Sequence, residues 1–474
     1  MRTEVRARSH DSRECGGARA TRIRVPRKHT ALLLLATLVL GGCTADASPP
    51  VPGADGAGDS YYPQDGNGGY DVAEYRLSIG YDPPSRRLDG DQLITAQATE
   101  HLSSFNLDLS GLVVDSVLVN GNPAQFARTA EHELVITPTR SLAQGSHFTT
   151  EIRYHGTPQP IGGNGWQYAA SGGAFVAGEP RSASTWYPVN DTPRDKAALE
   201  LTVRVPEGWS VVSNGRELGG NMWSSRTPAV SYLTTVAIDR WEIERGQLAD
   251  GTPVVTAFAP GVPASTKAAA ARLPEVLDFL VSKFGPYPVD AAGGIFLADP
   301  IGFSLETLGR PIYSGRAGNV ETIVHENAHQ WYGNSVSVHE WKDICLNECF
   351  ASYAQWLWSE AKEGQNLDER FRREVAAAPE RLWAGRLYDM GAGAEFTEVY
   401  RKGPLALHAL RRLVGEQAFD QVLRTWPARH RDGNASLPEF QRYIEDVTHR
   451  DLAGFFQAWF YGVGKPAPEY LQLG

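Results

Sequence analysis

Two histidines four residues apart, in the run His325-Glu326-Asn327-Ala328-His329, are followed nineteen positions later by Glu348. This spacing restricts the chain more than any other feature it carries. A helix turns every 3.6 residues, so positions i and i+4 share a face and their two imidazoles can meet at one point. Glu326, offset by one position, reaches the same space without sharing that point. Apolar residues at Val320, Ile323, Val324, Ala328 and Trp331 follow helical spacing, so the sequence predicts a helix over 319–332, preceded by Gly318 and stopped at Gly333. The bland reading of the pair is a buried helix whose histidines satisfy core hydrogen bonds. The functional reading is a zinc helix whose intervening glutamate serves as general base.

The third ligand separates the two. A metzincin would carry Gly at position 332 and His at 335, whereas Tyr332 and Ser335 stand there. A second helix is expected from Asn347 to Lys362, breaking near Gly364, with Glu348 in its first turn. There the helix dipole favours an ionised carboxylate. His339, Glu340 and Glu360 rank below it, because the first two fall on the connecting loop and the last at the far end of the helix.

With these residues in place the chain resembles the membrane alanyl aminopeptidase family of gluzincins. The stretch from His325 to Asn334, followed by Leu346-Asn347-Glu348-Cys349-Phe350-Ala351, matches that family's two zinc histidines, eighteen intervening residues and zinc glutamate. Tyr70 to Gly156, with Ser103-Ser104-Phe105-Asn106-Leu107-Asp108, is similar to its N-terminal saddle of strands. Trp186-Tyr187-Pro188-Val189-Asn190-Asp191-Thr192-Pro193 is similar to its inter-strand signature. The resemblance implies one zinc ion per chain on His325, His329 and Glu348, with Glu326 activating a water. It implies that Tyr400, in Val399-Tyr400-Arg401-Lys402-Gly403, donates to an oxyanion. It further implies that Glu306 and Glu179 hold the free amine of a peptide substrate, which would make the chain an aminopeptidase. Leu305 and Thr307 replace the family's Met and Asn beside Glu306, a departure that bears on substrate preference. A zinc endopeptidase, should the two acids not form a clamp, and a peptide-binding lipoprotein without turnover are the alternatives.

The pattern along the chain agrees with an α+β multidomain protein. β-rich runs at 77–81, 113–119, 133–136 and 201–205 are divided by Gly, Pro and Asn turns, including Asn120-Gly121 and Asn214-Gly215. They predict an N-terminal antiparallel β-saddle or sandwich over 70–250. From Ser265 onward helical patterns dominate, with strands expected near 254–258, 295–297 and at Glu306. By resemblance, 251–474 is a thermolysin-like, mainly helical catalytic domain.

Residues 1–28 hold nine Lys/Arg, and an apolar run, Ala31 to Leu40, follows; it is too short to span a bilayer. The segment 1–43 reads as a signal peptide. Its end, Leu40-Gly41-Gly42-Cys43, resembles a bacterial lipobox, which implies a lipid on Cys43 and attachment to the outer face of the cell membrane. Residues 44–69, rich in Ala, Gly, Pro, Ser and Asp, read as a flexible linker. Loss of residues 1–42, with nine basic and three acidic side chains, takes the formal charge from −10 to −16. So acidic a surface argues against nucleic-acid partners, and no phosphate-binding glycine motif is present. Oligomeric state is not legible. Two of the four cysteines, Cys345 and Cys349, flank Glu348 one helical turn apart, roughly 6 Å between Cα atoms. In an oxidising compartment they can form a disulfide bracing the turn that presents Glu348; two reduced thiols packed as small apolar groups are the other reading.

Overall fold

The computed structural model describes residues 48–472 apart from 130, 131 and 316. The expected signal peptide and the lipobox Cys43 lie outside the described residues. Among the described residues no helix is long and apolar enough to cross a membrane.

The N-terminal half is built on an eight-stranded sheet. Its long strands Tyr70–Asp82, Arg87–Ala98 and His147–Gly156 pair antiparallel in sequence. Buried and less buried positions alternate along Arg87–Ala98, as a strand with one face on a core requires. One pairing departs from the antiparallel expectation: Lys196–Arg204 runs parallel to Tyr70–Asp82. More than a hundred residues separate these two strands, ample chain for the crossover a parallel pair needs. Two smaller four-stranded sheets pack with it, and one of them contains Leu102–Asp108 and Glu133–Thr137.

The expected boundary at 250 falls inside a hairpin. Glu242–Gln247 pairs antiparallel with Pro253–Phe258, which is followed in the same sheet by Ala292–Phe296 and Ile312–Tyr313. The second half therefore starts near Glu242. The two halves form one compact unit. Arg310, fully buried, joins them by donating to Val255 O in the second half and to Ser213 O and Gly215 O, at the end of a strand and in the turn after it, in the β-rich half.

Helices Leu273–Phe284, Val320–Ala328, Cys345–Glu363, Lys402–Val414 and Glu416–Arg429 pack against one another. The helical pattern that begins after Ser265 is broken at Arg272 into Ala264–Ala270 and Leu273–Phe284, and Pro274 opens the longer part. The strand expected at Glu306 reduces to a single antiparallel bridge between Leu305 and Ile312.

Residues 48–69 correct a further expectation. Read as a flexible linker, they instead form a strap across both halves. Val51–Pro52 pairs parallel with Leu102–Asp108. Asp59 is buried and accepts from the Trp341 amide at 2.9 Å. The Tyr61 hydroxyl donates to Asp389 at 3.1 Å and that of Tyr62 to Glu395 at 2.7 Å. Few large apolar groups are needed where hydrogen bonds to buried partners do the holding.

Candidate active site

Asn319 caps the helix Val320–Ala328 through its side-chain oxygen, which accepts from the Thr322 amide at 2.9 Å. The helix is shorter than the 319–332 its pattern predicts; tighter turns carry the chain through His329 to Gly333. His325 and His329 nevertheless present their Nε2 atoms 3.3 Å apart. Cys345–Glu363 brings Glu348 Oε2 to 3.1 Å from His325 Nε2 and 3.5 Å from His329 Nε2. Three ligands about 2.0–2.1 Å from one tetrahedral ion lie roughly 3.4 Å from each other. The donor set and its spacing thus fit zinc. The Nδ1–H of His329 donates to Tyr332 O at 3.0 Å, which leaves Nε2 as the free ligand atom.

Electrostatics point the same way. Burial opposes charge on His329, yet Glu306 and Glu348 push its pKa up to about 10. Burial would raise Glu348, but the charge of His329 and hydrogen bonds from both imidazoles hold it well below the usual carboxylate range. Burial first, then repulsion from Glu306 and Glu348 over the attraction of His329, raises Glu326. Anionic groups outnumber cationic ones here, and the site binds positive charge where it can.

Two glycines permit this assembly. A Cβ at Gly333, whose φ is +129°, would lie 3.2 Å from His329 Nδ1. One at Gly403 would lie 2.5 Å from the Cys349 sulfur, so only glycine lets Lys402–Val414 approach the glutamate helix this closely. Cys345 and Cys349 are bonded to one another at the start of that helix, with Cα atoms 4.8 Å apart.

The other site residues predicted from sequence gather in one cleft of about 450 Å³, whose lining includes Glu179, Glu306, Glu326, the three ligands and Tyr400. Glu306 is 2 % exposed and accepts from the Tyr232 hydroxyl at 2.8 Å. Its carbonyl accepts from Asn334 Nδ2 at 2.7 Å and Gln330 Nε2 at 3.2 Å. The turn following the histidines therefore pins the backbone that presents Glu306. Glu179 has one buried carboxylate oxygen without a protein partner. Its pKa is raised by burial and then by repulsion from Glu306, Glu348 and Glu326. Tyr400 is 43 % exposed, its ring centroid 6.0 Å from that of His325.

His339, Glu340 and Glu360 stay out of the cleft: Glu340 pairs with Lys342 at 3.0 Å and Glu360 with Arg411 at 2.9 Å. Sequence reasoning missed Tyr232, Phe303, Phe396 and Asn164. Tyr232 reaches the site only through folding, and no spacing or motif marks it.

A two-histidine helix and a glutamate from the following helix, set beneath a cleft between a β-rich half and a helical half, define a gluzincin-type zinc metallopeptidase. The Peptidase M1 N-terminal domain matches residues 72–237 and the Peptidase family M1 domain matches residues 312–459, so the chain belongs to peptidase family M1. It is 24 % identical over 407 residues to an aminopeptidase N of Streptomyces lividans, covering 76 % of this chain and 46 % of that protein. It is equally 24 % identical over 442 residues to an aminopeptidase N of Lactococcus lactis subsp. cremoris strain MG1363, covering 83 % and 50 %. The chain spans about half the length of these relatives. A crystal structure of an M1 zinc metallopeptidase from Deinococcus radiodurans superposes with a TM-score of 0.80 at 28 % identity, covering 87 % of this chain and 98 % of that one. A mutant of that enzyme has been crystallised with a Tyr-Ser-Ala substrate.

Proposed function

We propose that this chain is a zinc aminopeptidase that removes the N-terminal residue from peptides. The observation that carries the reading is the convergence of Glu306 and Glu179 on the cleft that also holds His325, His329 and Glu348. Two carboxylates on one cleft wall, Glu306 buried and Glu179 partly so, call for a cation, and a peptide's terminal ammonium supplies one through strong charge-assisted hydrogen bonds. An ammonium held there sets the first peptide bond, and no internal one, over the metal ligands.

Zinc on His325, His329 and Glu348 would supply Lewis acidity toward water and carbonyl oxygen. Glu326 then serves as general base, taking a proton from the attacking water and returning it to the leaving amine. Its raised pKa suits both halves of that exchange. Tyr400 faces the cleft from the opposite wall and donates its phenolic hydrogen to the oxyanion as the carbonyl becomes tetrahedral. Tyr232 fixes one oxygen of Glu306 and leaves the other for substrate.

Paired substrates test this: an aminoacyl chromogenic substrate and the same sequence as an N-acetylated peptide. Turnover of the first alone is expected. Cleavage of the blocked peptide at internal bonds would make the chain an endopeptidase, and silence toward both with zinc bound would make it a binding protein. For residues 1–43 we propose export and a lipid on Cys43, anchoring the enzyme to the outside of the membrane. Labelling with radioactive palmitate checks this, with Cys43→Ser expected to abolish incorporation.

A further inference from the structure

A second cluster of ligating side chains lies in the β-rich half, outside the cleft. Asp108 ends the strand Leu102–Asp108 and Glu133 begins Glu133–Thr137; the two are direct cross-strand partners. Like charges in that relation destabilise a sheet, and here both are buried, Asp108 at 1 % and Glu133 at 5 % exposure. Asp108 Oδ2 is satisfied by Asn67 Nδ2 at 3.2 Å and the Asp191 amide at 2.9 Å. Asp108 Oδ1 and both carboxylate oxygens of Glu133 accept no hydrogen bond from the protein.

The other charges nearby are already engaged. Asp65 pairs with Arg181 at 2.7 Å, and Asp191 accepts from the Ser231 hydroxyl at 2.6 Å. Arg128 approaches Glu133 from the adjoining strand, but its guanidinium donates to Leu109 O. His132 stands at the mouth, where without an ion its Nε2–H donates to Gln64 O at 3.0 Å; Nε2 also lies 3.8 Å from Asp108 Oδ1 and 4.0 Å from Glu133 Oε1, so an ion would take the place of that proton. Donors about 2.2 Å from one ion lie between roughly 3.1 Å apart, at a right angle, and 4.4 Å apart, when opposed. The separations from Asp108 and Glu133 fall in that range, and that from Gln64 O lies at its lower edge. The ligating atoms of Asp108, His132 and Glu133 all lie within 4.8 Å of one another, and Asp108 and His132, with the Asp65–Arg181 pair, line an adjoining cavity of about 90 Å³, room for water beside an ion.

We propose that Asp108, His132 and Glu133, with the carbonyl of Gln64, form a second binding site for a divalent cation, structural in role and separate from the catalytic one. The ion neutralises the facing carboxylates and ties the strap at Gln64 to the small sheet. The His132 side chain, 21 % exposed, gives it a path from solvent. Two carboxylates and a carbonyl favour an oxygen-seeking ion such as calcium or manganese, while the imidazole also admits zinc.

The test uses the full chain, stripped by chelation and reloaded with one equivalent of zinc. It is titrated with calcium chloride, manganese chloride or zinc chloride in separate arms, reading bound metal per chain and unfolding temperature. One of the three ions is expected to bind as a second equivalent. At about 100-fold excess over its dissociation constant it should raise the unfolding temperature by roughly 3 °C or more. Glu133→Gln should lose the second equivalent and the rise while keeping the catalytic zinc and peptidase activity. His132→Ala, a change at the mouth, should weaken the ion at least tenfold and serves if Glu133→Gln does not fold. Glu348→Gln should keep the second equivalent. A single ion per chain at millimolar concentrations of all three salts overturns the site, as does a second ion that survives both Glu133→Gln and His132→Ala. An unfolding temperature indifferent to every ion but raised by Glu133→Gln would mean that the two acids share a proton, and would also overturn it.

Discussion

The two walls of the cleft are built in opposite ways. One consists of regular elements: the helices Val320–Ala328 and Cys345–Glu363, packed back to back and buried, with Glu306 pinned to them through Gln330 and Asn334. The other is the irregular segment between the helix Glu380–Ala384 and Lys402–Val414, which carries Phe396 and the half-exposed Tyr400. That segment forms turns rather than a helix or strand, with backbone bonds from Leu387 and Tyr388 to Phe460 O and from Asp389 to Lys342 O at its start. It is held by side chains from far away in sequence, Tyr61 on Asp389 and the Gly391 amide, and Tyr62 on Glu395. A rigid wall suits ligands that share an ion within a few tenths of an ångström. A strapped wall suits the donor role proposed for Tyr400, which is needed only as an oxyanion forms.

Substitutions on the two walls should therefore fail differently. The largest effect is expected on the rigid wall: Glu326→Gln should lower kcat on the order of 10⁴-fold while zinc content, measured by atomic absorption, is unchanged. Loss of zinc together with activity would assign Glu326 to metal binding instead. Across the cleft, Tyr400→Phe should cost about 10²–10³-fold in kcat with KM little altered; an unimpaired variant would remove Tyr400 from the mechanism. Next, Glu306→Gln should reduce kcat/KM roughly 10- to 100-fold for substrates with a free amine, the worth of one charge-assisted hydrogen bond. Equal losses on N-acetylated peptides would show that it acts on the fold rather than on the amine. The smallest effect is expected at the strap. Tyr62→Phe deletes one hydrogen bond to a buried carboxylate, worth about 1–3 kcal/mol to local stability. It should accelerate proteolytic nicking within 385–401 and lower kcat only a few-fold. If nicking is unchanged, the strap does not brace that wall.

The same contrast explains what could be read in advance. The ligand set was legible because helical periodicity converts spacing directly into a shared face, and Glu348 needed only a second helix with its first turn in the right place. In the β half the β-rich runs at 77–81 and 201–205 marked parts of Tyr70–Asp82 and Lys196–Arg204, while Arg87–Ala98 and His147–Gly156 were not marked individually. Tyr232 was not, because its hydroxyl reaches Glu306 through a fold that brings residues 74 positions apart into contact. The strap was misread for a related reason. A composition of Gly, Pro, Asp and Ser looks like a tether when hydrophobic burial is the only source of order considered, and Asp59, Tyr61 and Tyr62 show that hydrogen bonds to distant partners can supply it instead.

The facing pair Asp108 and Glu133 shows where local reading stops. The sequence alone determined the meeting of His325, Glu326, His329 and Glu348 and the succession of a β-rich half by a helical half, because each follows from local periodicity and spacing along the chain. Only the tertiary structure decided the convergence of Glu306 and Glu179 on the cleft, the bracing of the Tyr400 wall, and the meeting of two carboxylates across a sheet. Strand register and long-range packing set those positions, and no local periodicity encodes either.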